Sequence, residues 1–512
     1  MEMQLVRESL RLEQPLGHGH AAAIVDGEVT LPGGLREEAR VLAAEATAAV
    51  ETADAMNDRV NARGRVTFHV LYTQGDPTKV DAIEATADFT QPVELPGCHT
   101  RASAQAQAAV TRVEARAVSG RLHLRAEVDV NASAVSATPV EAITGVSGTD
   151  DVQTRTEQVT IRHTAARGSA DTLLREELSL PAEMQIRQTL FARAYPVVEA
   201  VTGGLGRIGL TGQVLLEAVH ASALPGRPVM VTRHSIPFSE AVEITGEDGD
   251  ILSGNVTVKD TAVASQEDAD GTQILRAEVL LGMTAQADKS ENIAVLTDAY
   301  TTSGDDVILT GQTVACRASS RDVTAAESGK TTLLLPENAP PVRTVLTAFA
   351  TPRLQQMEQL GGRAVATGTM DATLLYMTDG SDAPVSVRMS EGFRVSFPEQ
   401  ISPDCHAALE VTGAEAVPIT SDRVELRYIL RLQAREDEVA ETYLLTDGKA
   451  TPAAAVTEDM VLYFTQPGET LWDIARRYRV SVDSVRALNP DMPADLRAGQ
   501  GVVVWRRSAA GV

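Results

Sequence analysis

Most of this chain is one unit written three times, and that repeat constrains the fold more than anything else in the sequence. Leu31-Pro32, Leu180-Pro181 and Leu335-Pro336 lie 149 and 155 residues apart, as do Phe89, Phe238 and Phe393. Gly64, Gly212 and Gly368 are spaced 148 and 156. Arg59, Arg207 and Arg363 precede these glycines by five, and Leu42, Leu190 and Leu346 precede them by 22. The segments RVTFHVLY, QVLLEAVH and TMDATLLY follow them directly, and Leu124-Arg125, Leu275-Arg276 and Leu426-Arg427 keep the same phase. Markers in register over that distance predict three homologous domains. A unit of that length is a whole domain rather than a solenoid repeat.

The copies also settle what each unit is made of. Residues 37–55 are Ala- and Glu-rich and read as helix by propensity. The equivalent stretches carry Pro196 and Pro352, which a buried helix does not tolerate and a strand edge or bulge does. Leu42, Ala44 and Ala46 alternate, as do Leu190, Ala192 and Ala194, and Leu346, Ala348 and Ala350. Val66-Phe68-Val70, Leu122 to Val130 and Val424 to Leu432 alternate too. Period two predicts strands, and each domain is expected to be mainly antiparallel β, a sandwich or a related arrangement. Leu-Pro and Gly mark the turns.

The remaining stretch, near the C-terminal end, is different. Val461–Phe464 reads as a strand, Gln466-Pro467-Gly468 as a turn, and Thr470 as a helix cap. Leu471, Ile474, Ala475 and Tyr478 share one helical face. A second helix fits Val482–Leu488, ended by Asn489-Pro490, and a last strand runs from Val502 to Trp505. This βααβ segment resembles the LysM domain. Gly468-Glu469-Thr470-Leu471 stands for that family's Gly-Asp-Thr-Leu, Ile474-Ala475 for its Ile-Ala, and Leu496 to Gln500 for its Leu-x-x-Gly-Gln. The resemblance implies a binding module that grips N-acetylglucosamine chains between two loops. Here these are Gly468, Glu469, Thr470 and Leu471, with Trp472 beside them, and Asn489, Pro490, Asp491 and Met492.

The repeats in turn resemble the SPOCS domain of spore-coat assembly proteins. The resemblance rests on the Gly followed by a strand ending in Leu71-Tyr72 or Leu375-Tyr376, the Phe-x-x-x-Val-Glu runs at Phe89 and Phe238, and Asp298-Ala299-Tyr300. Tandem SPOCS-like repeats followed by one LysM look like the SipL type of coat protein. That implies a scaffold made in the mother cell and placed on the forespore surface. Its LysM would engage the spore coat morphogenetic ATPase (SpoIVA-like). The alternative is a peptidoglycan-binding protein of the cell envelope. The expected boundaries are 1–145, 146–297 and 298–449 for the repeats, 450–459 for an Ala/Thr/Pro-rich flexible linker, and 460–507 for an independent LysM domain.

Composition narrows the partners. The net charge is −25. The tail from 460 carries +2, leaving −27 on the repeats, which argues against nucleic acid and anionic membrane. Cys98, Cys316 and Cys405 are too few and too scattered for a disulfide framework, which suits a reducing compartment. No secretory-type leader and no membrane-spanning run is visible.

No catalytic constellation is found. His18 and His20 read as a solvated loop, since no third ligand lies near. Cys98-His99 and Cys405-His406 fall out of register with each other. Gly329-Lys330-Thr331 lacks the earlier glycine and the preceding strand of a phosphate-binding loop. The aspartates at 150–151, 305–306, 248 and 250 read as solvated turns. No cofactor, no metal and no enzymatic activity are expected.

Overall fold

The structure is a computed structural model, and it describes residues 4–32, 39–147, 151–181, 183–267, 272–302, 306–398, 400–401, 407–451, 459–493 and 495–506. The first repeat runs β1 (Gln4–Thr30), β2 (Ala39–Met56), β3 (Arg59–Gln74), β4 (Asp76–Glu94), β5 (Ser103–Val118) and β6 (Arg121–Ser147). The second comprises β7 (Val152–Ser179), β8 (Ile186–Gly204), β9 (Arg207–Ser222), β10 (Val229–Glu243), a short β11 (Thr245–Gly246), β12 (Ile251–Glu267) and β13 (Gln273–Thr301). The third comprises β14 (Asp306–Leu334), β15 (Thr344–Leu360), β16 (Arg363–Met377), β17 (Val385–Phe397), β18 (Ala408–Pro418) and β19 (Arg423–Thr451). The tail adds β20 (Asp459–Phe464), α1 (Leu471–Tyr478), α2 (Val482–Leu488) and β21 (Gly501–Arg506).

Each repeat is two antiparallel sheets face to face. β2-β3-β4 packs on β1-β6-β5, and the sheets β8-β9-β10 and β15-β16-β17 pack likewise on β7-β13-β12 and β14-β19-β18. The alternating runs supply the cores: Val66, Phe68 and Val70, Leu122 to Val130, and Val424 to Leu432 all turn apolar side chains inward. The stretch after Glu37–Glu38 is strand in every copy. Pro196 and Pro352 lie on β8 and β15, edge strands of their sheets, where a missing N–H breaks no second ladder.

The repeat glycines mark one recurring contact. Gly64 pairs with Phe89 on β4, Gly212 with Phe238 on β10, and Gly368 with Phe393 on β17. A Cβ on these glycines would come within 2.8, 2.9 and 3.0 Å of the partner ring. A Cβ would also fall 2.2, 2.0 and 2.0 Å from the carbonyl oxygens of Ala49, Val197 and Arg353 on the bulged neighbour, so glycine is required by close approach on both sides and not by a positive φ. On the other neighbour each glycine faces the start of a bulge, at Val50/Thr52, Val198/Ala200 and Leu354/Gln356.

A second bulge corrects the simple alternation. Register shifts at Val41/Ala43, Thr189/Phe191 and Val345/Thr347 leave Leu42, Leu190 and Leu346 as the extra residue. Ala44 and Ala46 pack into their own sandwich, but Leu42 does not. It joins Phe191, Phe349 and the three equivalent residues Leu71, Val219 and Leu375 in one cluster shared by all three repeats. At the same place Arg193 ion-pairs with Glu45 and Glu217 and lies 5.8 Å over the Phe349 ring.

The outer strands of each repeat outrun their third partner. β1–β6, β7–β13 and β14–β19 continue as two-stranded ribbons. The ribbons pack together through Leu12, Ile161 and Cys316, which are equivalent residues, and through Leu10, Val295 and Leu444. Equivalent residues of three copies meeting twice is what an approximate three-fold arrangement within one chain produces. The strands run past the expected boundaries: β6 to Ser147, β13 to Thr301 and β19 to Thr451, because each ribbon ends only where both ladder strands end. His18 and His20 sit in β1 rather than a loop, and Gly329-Lys330-Thr331 lies inside β14. Cys98 and Cys316 are buried, free thiols, while Cys405-His406 lies outside the described residues.

Two measurements test this packing. Gly212→Ala should lower stability by about 1–3 kcal/mol through overpacking against the Val197 carbonyl and the Phe238 ring. Gly145→Ala, whose Cβ meets only Val6 at 3.9 Å, should be near neutral in the same denaturant titration. Burial also holds the imidazoles of His69 and His220 at about 4, below their usual 6.5. His69 stacks on Phe191, and His220 lies between Thr189 and Thr232. Between those pH values the unfolded chain binds protons that the folded chain does not, so stability rises with pH across the window and is lost below it. By pH 5 the loss should reach about 2 kcal/mol per histidine. His220→Gln should remove one share of the difference between unfolding curves at pH 7.5 and pH 5; an unchanged difference would refute the assignment.

Candidate functional site

The tail builds its binding loops on a small core of Ile474, Ala475, Val480, Val485, Val502 and Val504. Thr470 caps α1: its Oγ1 accepts from the Asp473 N–H at 3.3 Å, and the Asp473 carboxylate accepts from the Thr470 N–H at 2.8 Å. The Thr470 hydroxyl, which donates to the same carboxylate at 2.7 Å, and then the Thr470 N–H hold the Asp473 carboxyl below its ordinary range. Gly468 turns the chain with φ +81°, a conformation that favours glycine. Glu469 accepts from the Gln466 N–H at 2.7 Å and from the Tyr463 hydroxyl at 2.7 and 2.9 Å, and it ion-pairs with Arg477 at 2.7 Å. These bonds, the Gln466 N–H first, keep its carboxyl low. Glu469 therefore shapes the first loop from within.

The second loop has the same character. The Asn489 side chain donates to the Val485 and Val503 carbonyls at 2.8 Å and accepts from the Val503 N–H at 2.9 Å, clasping α2 to β21. Leu471 and Met492 pack on the core edge. Of the nine predicted residues, Pro490 and Asp491 are the two that stand exposed without a side-chain role in the tail's own architecture.

Trp472 does something the sequence did not reveal. Its Nε1 donates to Asp298 Oδ2 at 2.8 Å, and its ring meets Tyr300 edge-on at 5.0 Å. Arg476 ion-pairs with the same carboxylate oxygen at 2.9 Å. Tyr300, 2% exposed, belongs to the tail's own core and donates to the Val480 carbonyl at 2.7 Å. Burial, and then the Asp298 carboxylate, push its phenol up. Arg479, at φ +54°, donates to the Thr301 carbonyl and hydroxyl at 3.1 and 2.7 Å. The tail is thus seated on the end of β13 rather than hung independently; most of the expected linker, 452–458, lies outside the described residues. The missed signal was the Asp298-Ala299-Tyr300 segment itself, read as a family mark without a contact partner.

A further surface escaped sequence reasoning. Met460, Leu462 and Phe464 alternate outward along β20, 65%, 58% and 57% exposed, with Trp505 opposite Met460. They form an uncovered apolar stripe on the tail.

Asp298→Ala should free the Trp472 indole and loosen the seat. The expected readout is a red-shifted tryptophan emission and faster proteolytic release of the tail, with the β-type circular dichroism of the repeats unchanged. Unaltered emission and cleavage would show that the seat does not depend on this carboxylate.

Comparison with known families agrees with this geometry. Residues 39–118, which span β2 to β5, match the model for the SipL SPOCS domain. Residues 463–505 match the model for the LysM domain. Both are families of non-catalytic domains. Comparison with curated proteins and with solved structures gave no significant match. No helix among the described residues is long and apolar enough to cross a membrane, and no cluster of metal-ligating side chains occurs among them. The chain is SipL-like: it carries a SPOCS domain of the SipL type and, after it, a LysM domain.

Proposed function

We propose that this chain is a non-enzymatic scaffold of spore coat assembly. In this reading its LysM domain docks onto the coat morphogenetic ATPase at the forespore surface, inside the mother cell. The observation that carries it is the joining of a SPOCS domain of the SipL type to a LysM domain on one chain. The tail's chemistry supports a protein partner. Most loop side chains are engaged in holding the loops, while an apolar stripe along β20 stands open, and such stripes mark protein contacts. The second reading is glycan binding, which the LysM match itself favours.

The test is a pull-down from sporulating cells with the full chain, a Leu462→Asp variant and a Pro490→Ala/Asp491→Ala variant. Docking through the stripe predicts ATPase capture by the full chain and the loop variant, and at least ten-fold less by Leu462→Asp. Both tryptophans of the chain lie in the tail, so their emission reports on it alone. N-acetylglucosamine oligomers at millimolar concentration should change that emission little. A saturable change with sugar, lost in the loop variant, together with no ATPase capture, would establish the glycan reading instead.

A further inference from the structure

A cavity of about 460 Å³ opens where the three repeats meet, and all three supply its walls. Arg11 comes from β1 and Arg101 from the turn before β5, Arg167 from β7 of the second repeat, and Arg317 from β14 of the third. Arg317 is 1% exposed. It ion-pairs with Glu13 at 2.7 Å and Asp288 at 3.0 Å, yet its Nε meets no acceptor. Both acids are already engaged: Glu13 accepts the Thr164 N–H at 2.7 Å, and Asp288 accepts from Gln286 Nε2 at 2.6 Å.

The other three arginines are exposed and share this one cavity. Many guanidiniums of this acidic chain pair with a carboxylate, as Arg65, Arg121 and Arg125 do. Among the described residues Arg11, Arg101 and Arg167 have no carboxylate partner; Arg167 donates to the Ser103 hydroxyl at 3.1 Å. Unpaired positive charge gathered around a half-enclosed space raises the local concentration of anions. The cavity's volume lies in the range of small-molecule sites. Guanidinium forks match carboxylate and phosphate oxygens alike.

We propose that this cavity binds a small multivalent anion bearing phosphate or carboxylate groups. Since its walls belong to three repeats, such a ligand recognises the assembled body and no single repeat, and it ties the repeats together where it sits. The site is separate from the LysM loops and stands whether or not the docking reading above holds.

The experiment is isothermal titration of the full chain at low ionic strength with pyrophosphate and, separately, with citrate. One saturable site per chain is expected for at least one of them, weakened by added salt. Arg101→Gln and Arg167→Gln should each weaken it ten-fold or more. Arg388→Gln, at an exposed position on β17, should leave it unchanged. Circular dichroism and the unfolding midpoint confirm that each variant is folded. Binding of pyrophosphate alone assigns a phosphate ligand, and of citrate alone a carboxylate ligand. No saturable heat from either anion, or binding that both Arg101→Gln and Arg167→Gln retain in full, overturns the proposal.

Discussion

The bulge that turns Leu42, Leu190 and Leu346 away from their own sandwiches is what makes three repeats into one body. An apolar side chain of that size contributes about 1.5–3 kcal/mol when it leaves water. In its own repeat this leucine has no core to enter, since the extra residue rotates it past the alternation that buries Ala44 and Ala46. Cover comes from a cluster that all three copies share, with Leu71 and Val80 of its own repeat beside Phe191, Val219, Phe349 and Leu375 of the others. The ribbons repeat the logic. A two-stranded hairpin is marginal alone, but three ribbons bury Leu12, Ile161 and Cys316 against one another. Each repeat has a core of domain size, so a 150-residue unit can be expected to stand by itself. The shared clusters make the copies depend on their neighbours as well.

What could be read in advance follows from the range of the interactions. Local rules carried the tail: Thr470 and Asp473 cap a helix from three residues apart, and Asn489-Pro490 ends the next one. Repetition carried the body, because Pro196 and Pro352 overrode the helical propensity of the first copy. Period-two patterns say that a residue is buried and are silent about what buries it. Hence Leu42 was legible as apolar and its partners in the other repeats, such as Phe191 and Phe349, were not. The site divides in the same way. Glu469, Thr470 and Asn489 sit where the family pattern puts them, but their role as internal struts depends on Tyr463, Gln466 and Val503. The seat formed by Trp472, Asp298 and Tyr300 joins residues more than 170 positions apart, beyond any spacing rule.

That seat changes what the tail can present. A LysM on a free linker samples orientations at random, and each binding event must order it. Here Asp298 holds both Trp472 and Arg476, and Arg479 holds the end of β13, so the helix face of α1 is committed inward. The open surface is then the opposite one, the β20–β21 ribbon with its apolar stripe. The basic tail on an acidic body adds attraction of the same sign, and the ion pair to Asp298 is its local expression.

The centre of the body explains why the three copies have diverged. Glu45, Arg193 and Phe349 each lie 19 residues before their repeat glycine, so they are one position seen three times. In the folded chain Arg193 bonds to Glu45 and lies over the Phe349 ring. Glu13, Arg162 and Arg317 are likewise one position, 18 residues before Leu31, Leu180 and Leu335, and there Arg317 ion-pairs with Glu13. Three identical copies could not make either contact. Three glutamates at a common axis would repel and take up protons, and three buried arginines would lack counter-charges. A charge buried at the meeting point of three copies is satisfied only when the copies differ there. Linking them in one chain fixes which copy carries the acid and which the base. The ion pairs therefore discriminate one assembly from the rearranged ones that the apolar clusters, nearly alike in all three copies, would accept.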